Sequence, residues 1–294
     1  MSIEFRHSAE DIRKEIESLL QRVGILCRVF GRGKDKHSLG RKLENNPNKY
    51  RNGGKLIQDA IGIRVVLYFT EDIEVVARLL KKQYHHDLSS STIDSHGADQ
   101  FCVTRHNLIF RIPEQHATTV RREVGDLPID IAFEIQLRSM LSEGWHEVEH
   151  DLRYKSKPNW VGNDDLGRTL NGILATLETS EWTMRKIFDD LAYRNFKAKK
   201  WPEMLHNQVR LRVEPTLCEE LCQLFNAEPD IAKDIFRVKR EKVIFLLSEL
   251  RPSIPVTLDN IVYVWNYLEP KHEKIQILIP DFIKSTITSL LNEK

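Results

Sequence analysis

The nine residues IDIAFEIQL, Ile129 to Leu137, decide how this chain is read. They are short, β-branched and aromatic, which is the pattern of a buried strand. Successive side chains of a strand point to opposite faces, so Ala132, Glu134 and Gln136 share one face and Phe133 and Ile135 the other. A carboxylate between Phe133 and Ile135 is costly to bury without a partner. An ion pair from Glu134 to Arg64 or Arg138 is one way to satisfy it. A metal ion or a proton to be moved is another.

Working outward, ILCRVF (25–30), IGIRVVLYF (61–69) and NLIFRI (107–112) also read as strands. SAEDIRKEIESLLQRVG reads as a first helix capped by Ser8, with Ile12, Ile16, Leu19, Leu20 and Val23 in one stripe. EDIEVVARLLKKQ (71–83) is an amphipathic helix with acids at its start and lysines at its end, as the helix dipole favours. YHHDLSSSTIDSHGADQ (84–100) reads as a mobile loop. SMLSEGWHEVEHDLRYK and LGRTLNGILATLETSEWTMRKIFDDLAYRNF read as helices, and RNFKAKKW (194–201) as a basic hinge.

Beyond about residue 201 KIQILI is the one stretch that resembles a strand. Pro215 and Thr257 each open a helix there, and Pro229 opens one that includes KDIFRVKREKVIFLLSEL. Strands early and helices late give an α+β class. The expected organisation is a catalytic domain over 1–200 and a helical domain over 201–294, regulatory or oligomerising.

The chain has 294 residues, 41% hydrophobic and 30% charged, with a formal charge of +1. That composition suits a folded chain and excludes disorder. The polar start MSIEFRHSAE is not the pattern of a secretory signal, and no apolar run approaches the ~20 residues of a membrane span. Of the four cysteines only Cys218 and Cys222 lie close together, without the further ligands a metal site needs. A cytoplasmic protein with reduced cysteines is expected.

The charge is unevenly spread. Arg28 to Arg64 holds ten Lys/Arg against three acids, whereas 201–294 holds twelve against fourteen. Focused basicity suits a compact anion and argues against duplex DNA as a partner. Its densest part is RVFGRGKDKHSLGRKLENNPNKY (28–50), read as a strand end, a glycine-bearing basic loop and a helix capped by Ser38. Gly31 and Gly33 would let the backbone approach a ligand. Arg32 would grip phosphate oxygens as a fork and Lys34 as a point charge. The spacing is not that of a Walker loop. Asp59, just before the strand at 61–69, adds a second strand-end acid. Acids beside a basic loop suit a Mg²⁺–nucleotide site.

GRGKDKHSLGRKL, DAIGIRVV and FEIQLRSMLSEGWHEVEHDLRYK together resemble the synthetase domain of RelA/SpoT alarmone synthetases, the small single-domain members and their toxin relatives above all. The resemblance spans roughly 25–155. It implies a mixed β-sheet flanked by helices, of the nucleotidyltransferase kind. It also implies transfer of pyrophosphate from ATP to the 3′-hydroxyl of GDP or GTP, the chemistry of the stringent response. By the same resemblance Arg32 and Lys34 hold the ATP phosphates with Ser38, Lys42 and Arg28 in support. Asp59 binds Mg²⁺, and Glu134 assists the metal and draws the proton from the attacking hydroxyl. Arg64 is a structural helper.

One family motif departs. A G-Y-x-S-x-H stretch, whose tyrosine stacks on the acceptor base, is replaced by DQFCVTRHNLIF. Aligned on the aromatic, Phe101 takes the stacking place and Arg105 that of the histidine. Aligned on His106, Cys102 takes it. Phe101, Arg105 and His106 are the expected acceptor-binding residues, and the acceptor stays open among guanine nucleotides, adenine nucleotides and the 3′ end of tRNA. A phage-defence role and a non-catalytic nucleotide sensor are the alternatives. His150-Asp151 reads as helix packing, and oligomerisation is among the roles open to 201–294.

Overall fold

The computed structural model describes residues 3–51, 54–93, 106–250, 254–269 and 271–292. In order these form α1 (Ile3–Arg22), β1 (Cys27–Gly33), α2 (Lys36–Glu44), β2 (Ile61–Leu67), α3 (Asp72–Gln83), β3 (His86–Ile93), β4 (His106–Arg111), α4 (Glu114–Val124) and β5 (Ala132–Ser139). There follow α5 (Met140–Glu149), a π-helical turn (His150–Tyr154), a 3₁₀ turn (Lys157–Trp160) and α6 (Asp164–Lys197). The remaining elements are α7 (Trp201–Val209), α8 (Glu219–Ala227), α9 (Pro229–Phe236), α10 (Arg240–Glu249), α11 (Leu258–Leu268), α12 (Glu273–Leu278) and α13 (Asp281–Asn292). The class is α+β.

The chain divides into two compact units, one comprising 1–18 and 27–181, the other 19–26 and 182–294. The first contains a five-stranded sheet in the order β1-β2-β5-β4-β3. β2 and β5 run parallel and every other neighbouring pair antiparallel, so the sheet is mixed. Its two faces differ. Val29, Ile61, Ile63, Phe133, Ile135 and Leu108 are buried on one. Tyr84, Phe110 and Phe133 meet there with ring centroids 5.4–5.9 Å apart, the Tyr84 ring edge-on to both phenylalanines.

Helix α1 lies against the buried side of β1, and the two glycines of the basic stretch explain how. A Cβ on Gly33 would stand 2.4 Å from the carbonyl carbon of Phe5, and one on Gly31 2.9 Å from the oxygen of Ala9. These glycines admit a helix backbone, not a ligand. The basic loop is corrected as well, because β1 continues through Gly33 and carries Arg32 within the strand.

Local differences have local causes. Asp35, not Ser38, caps α2, since its carboxylate accepts the Ser38 N–H at 2.7 Å. Ser8 is buried inside α1 rather than capping it. Part of the expected loop at 84–100 is β3, paired to β4 with a register shift between Asp87 and Thr92.

The second unit is helical. Arg240 donates to the carbonyls of Val209 and Arg210 where α7 ends, and Arg210 closes that helix in the left-handed region, φ 48°. The expected helix from Pro229 breaks at Arg237 into α9 and α10. KIQILI is helix α12, not a strand. Ile275 and Ile279, four apart, are buried while Ile277 is exposed, which is a helical period.

Replacing Gly33 by Ala is expected to cost about 1–3 kcal/mol, the usual penalty of overpacking. Gly40→Ala, where nothing lies within 4 Å, is expected to be neutral or slightly stabilising. Urea unfolding of the two variants beside the parent chain checks both.

Candidate active site

The face of the sheet opposite α1 is polar, and strand register lines its residues into rows. Arg32 pairs with Gly62, Gly62 with Glu134, and Glu134 with Ile109. The next row runs Phe30, Arg64, Gln136, Asn107. Paired residues point to the same side, so Arg32 and Glu134 flank a residue without a side chain. A Cβ on Gly62 would meet only the Arg32 carbonyl oxygen, at 3.9 Å. The result is a slot with a guanidinium on one wall and a carboxylate on the other.

Glu134 is held by neutral donors. The Asn107 amide donates to its Oε1 at 3.0 Å and the Gln136 amide to its Oε2 at 2.8 Å. Arg64 donates from Nε to the Gln136 oxygen at 3.4 Å, while its Nη1 donates to Glu143 at 2.5 Å and to Glu147. Arg64 thus ties α5 to the sheet and turns the Gln136 amide toward Glu134. An amide-bound carboxylate keeps its negative charge uncancelled, unlike one in an ion pair.

Next to this slot stands a charged triad. Lys34 follows β1, Lys42 lies in the last turn of α2, and Asp59 precedes β2. The Lys34 Nζ is 2.5 Å from Asp59 Oδ2, and the Lys42 Nζ donates to both carboxylate oxygens at 2.8 Å. Burial pushes the Asp59 carboxyl upward, but the two ammonium groups outweigh it and hold its pKa below the usual carboxylate range. For Lys42 burial is likewise outweighed by Asp59, and its pKa is raised. Lys34 is depressed, first by burial and then by neighbouring Lys42, because one carboxylate cannot compensate two ammoniums equally. The triad carries a net positive charge in a half-buried place, which favours an incoming anion. Lys42 also stands 5.3 Å from the centroid of Tyr50.

The structure brings Lys34, Lys42 and Asp59 into contact and sets Arg32 in register with Glu134. Ser38 lies in the first turn of α2, its N–H taken by Asp35. Arg28 is exposed on β1, opposite Val66 and two rows from Arg32's pairing to Gly62. His106 is not among the slot residues. It is buried on the α1 side of the sheet, level with Leu137, and burial lowers its pKa more than Glu74, 3.8 Å away, restores it. Phe101, Cys102 and Arg105 lie outside the described residues.

Four residues were not singled out from sequence: Phe30, Gly62, Asn107 and Gln136. Phe30 is 55% exposed on the open face between Arg28 and Arg32, an accessible ring among cations. Alternation in RVFGR could have revealed it, had the strand been extended through Gly33. For Asn107 the signal was missing, since its meeting with Glu134 depends on how β4 pairs with β5.

Residues 31–159 match the family described as a region found in RelA/SpoT proteins. The matched stretch contains Arg32, Lys34, Ser38, Lys42, Asp59 and Glu134. No curated protein matches the chain. Among solved structures, the small alarmone synthetase 1 from Bacillus subtilis is 19% identical, with 63% of this chain and 92% of that chain covered and a TM-score of 0.46. The same synthetase bound to its product pppGpp is 21% identical, with 62% and 92% covered and a TM-score of 0.46. A GTP pyrophosphokinase family protein from Streptococcus pneumoniae is 19% identical, with 64% and 90% covered and a TM-score of 0.46.

Asp59→Asn leaves two half-buried ammoniums side by side and is expected to cost about 1–3 kcal/mol near neutral pH. The folded pKa of Asp59 lies below its unfolded value, so its contribution is complete above the ordinary aspartate pKa of about 4 and fades as pH falls through the folded value. The stability gap between parent and variant should therefore close in acid, as urea unfolding across a pH series would show.

Proposed function

We propose that the RelA/SpoT-type region over residues 31–159 is a pyrophosphotransferase, moving the terminal pyrophosphate of ATP to the 3′-hydroxyl of GDP or GTP, with AMP as the leaving group, to make a guanosine alarmone. The observation that carries this reading is the slot over Gly62, with Arg32 on one wall and Glu134 on the other, beside the Lys34–Asp59–Lys42 triad. Cations on one side and a free-handed carboxylate on the other is what in-line phosphoryl chemistry asks of a protein.

Each residue then has a role its surroundings support. Arg32 grips phosphate oxygens with its fork, and Lys34 and Lys42 absorb charge that grows on the leaving side. Ser38 and Arg28 lie close enough along the chain to assist. Glu134, its two oxygens positioned by the Asn107 and Gln136 amides, takes the proton from the attacking hydroxyl. Phe30 offers a ring on which a base can stack.

Mg²⁺ fits the donors present. Asp59 accepts three hydrogen bonds and Glu134 two, so each keeps lone-pair capacity among about four acceptor sites per carboxylate. Two carboxylate donors, completed by phosphate oxygens and water, suit this ion without an all-protein cage. Bound there, it would neutralise phosphate charge during transfer.

The acceptor is the least constrained part. The motif that would supply a stacking tyrosine reads DQFCVTRHNLIF here, with Phe101 and Arg105 as the proposed acceptor-side residues, while His106 faces the buried side of the sheet. That departure favours a second reading, in which an adenine nucleotide or the 3′ end of tRNA is the acceptor, as for a toxin or a phage-defence enzyme. The helical unit would then restrain it. No described helix is long and apolar enough to cross a membrane.

An acceptor screen tests both readings. The protein is incubated with Mg²⁺ and γ-labelled ATP, and offered GDP, GTP, ADP, ATP or deacylated tRNA separately. Label on guanine nucleotides supports the first reading and label on tRNA or adenine nucleotides alone the second. Glu134→Gln is expected to lower transfer by about 10²–10⁴-fold while the fold is kept. Full activity of that variant would remove Glu134 as the base.

A further inference from the structure

The helical unit holds a cavity of about 320 Å³, at the lower end of the ~300–1,000 Å³ of small-molecule sites. All of its lining residues belong to that unit, the last turn of α1 included. Leu19, Leu247, Leu250 and Ile254 give it an aliphatic lining, each no more than 8% exposed. No lining residue is aromatic and none is acidic. Arg22 and Arg212 line it as well. Both are exposed, and neither guanidinium has a hydrogen-bond or ion-pair partner among the described residues. Other cations of the unit are matched, Arg210 by Asp189, Lys242 by Glu269 and Lys274 by Glu228.

The backbone explains why two arginines share this place. α1 closes in a Schellman turn, with Gly24 in the left-handed region at φ 73°. The Gly24 N–H donates to the Gln21 carbonyl at 3.0 Å and the Ile25 N–H to that of Leu20 at 3.1 Å. The Gly24 carbonyl in turn accepts the Arg212 N–H at 2.7 Å. A Cβ on Gly24 would stand 3.2 Å from Leu211 Cβ and 3.5 Å from Val256 Cγ1. The absent side chain thus admits the 211–212 strap and Val256 to the end of the helix that carries Arg22. α10 ends here too, and each helix C-terminus carries about half a negative charge. The carbonyls of Leu20, Gln21 and Leu246 are already taken by backbone N–H groups, and two whole guanidinium charges exceed two dipole ends.

We infer that this cavity binds an aliphatic anion, a carboxylate or phosphate head on a hydrocarbon chain, as a site separate from the proposed transfer chemistry. The two guanidiniums grip the head, for which an arginine fork is shaped, and the chain lies against Leu19, Leu247, Leu250 and Ile254. The lining selects the body of the ligand. A nucleotide would find no ring on which to stack its base, and a cationic ligand would meet two like charges without an acid. The volume admits a small molecule and excludes a folded partner.

Calorimetric titration of the full chain with decanoate and with decyl phosphate, each below its micelle concentration, tests this and tells the two heads apart. At least one of them is expected to bind at one site per chain. Decanol, which lacks the charge, and inorganic phosphate, which lacks the chain, should each bind at least about tenfold more weakly. Shortening decanoate to octanoate and hexanoate should weaken binding about two- to fourfold for each methylene removed. Arg22→Gln with Arg212→Gln, both exposed, should lose at least about tenfold in affinity with unchanged far-ultraviolet circular dichroism. Methyl NMR of the parent chain should place the ligand, with shifts at Leu247, Ile254 and Val256. A parent chain that binds neither anion overturns the proposal. So does decanol binding as tightly as decanoate, a double variant with the parent's affinity, or a ligand that leaves those methyls unmoved.

Discussion

The site depends on one pairing, the parallel register of β2 with β5. That register sets Gly62 level with Glu134, while the antiparallel pairing of β1 sets Arg32 level with Gly62. A slip of one residue in either would turn its side chains to the opposite face. Were β5 to slip, Glu134 would enter the apolar layer beside Ile61 and Ile63, where an uncompensated carboxylate costs several kcal/mol, and Phe133 and Ile135 would turn to the open face. The apolar face therefore enforces the polar one. Ile61, Ile63, Phe133 and Ile135 must be buried, and their burial fixes which residues are left facing the slot.

Two kinds of glycine serve this arrangement. Gly31 and Gly33 bring α1 against the back of β1, while Gly62 keeps space open at the front. The cations divide similarly. Arg64 is consumed by Glu143 and Glu147 and orients Gln136, whereas Lys34 and Lys42 share a single acid and retain positive charge for an anion. The same residue types brace the fold in one place and leave charge unspent in another.

Much of this was legible in sequence. The period of IDIAFEIQL gave the face of Glu134, and the cation-dense stretch near Arg32 holds the two lysines that meet Asp59. Residues near one another along the chain were read least well where two explanations share one pattern. A glycine beside cations suits a phosphate loop or a close helix, and only tertiary packing against Phe5 decides between them. Asn107 was invisible for a related reason, because its meeting with Glu134 is set by strand pairing, whereas Gln136 shares the face of Glu134 within one strand. His106 follows a family motif by position, yet the alternation of β4 turns it to the buried side. KIQILI has β-branched residues, but the described residues of the helical unit offer no strand edge for it to join, and context overrides propensity.

The central claim is that the space above Gly62 receives the phosphates of a nucleotide. Gly62→Val tests it most directly, since the added side chain would stand in that space and valine is well suited to a strand. Calorimetric titration with a non-hydrolysable ATP analogue and Mg²⁺ should show binding to the parent chain and at least about a tenfold weaker association for the variant, about 1.4 kcal/mol. Both should unfold at similar urea concentrations. A Gly62→Val protein that folds and binds the analogue as tightly as the parent would contradict the account.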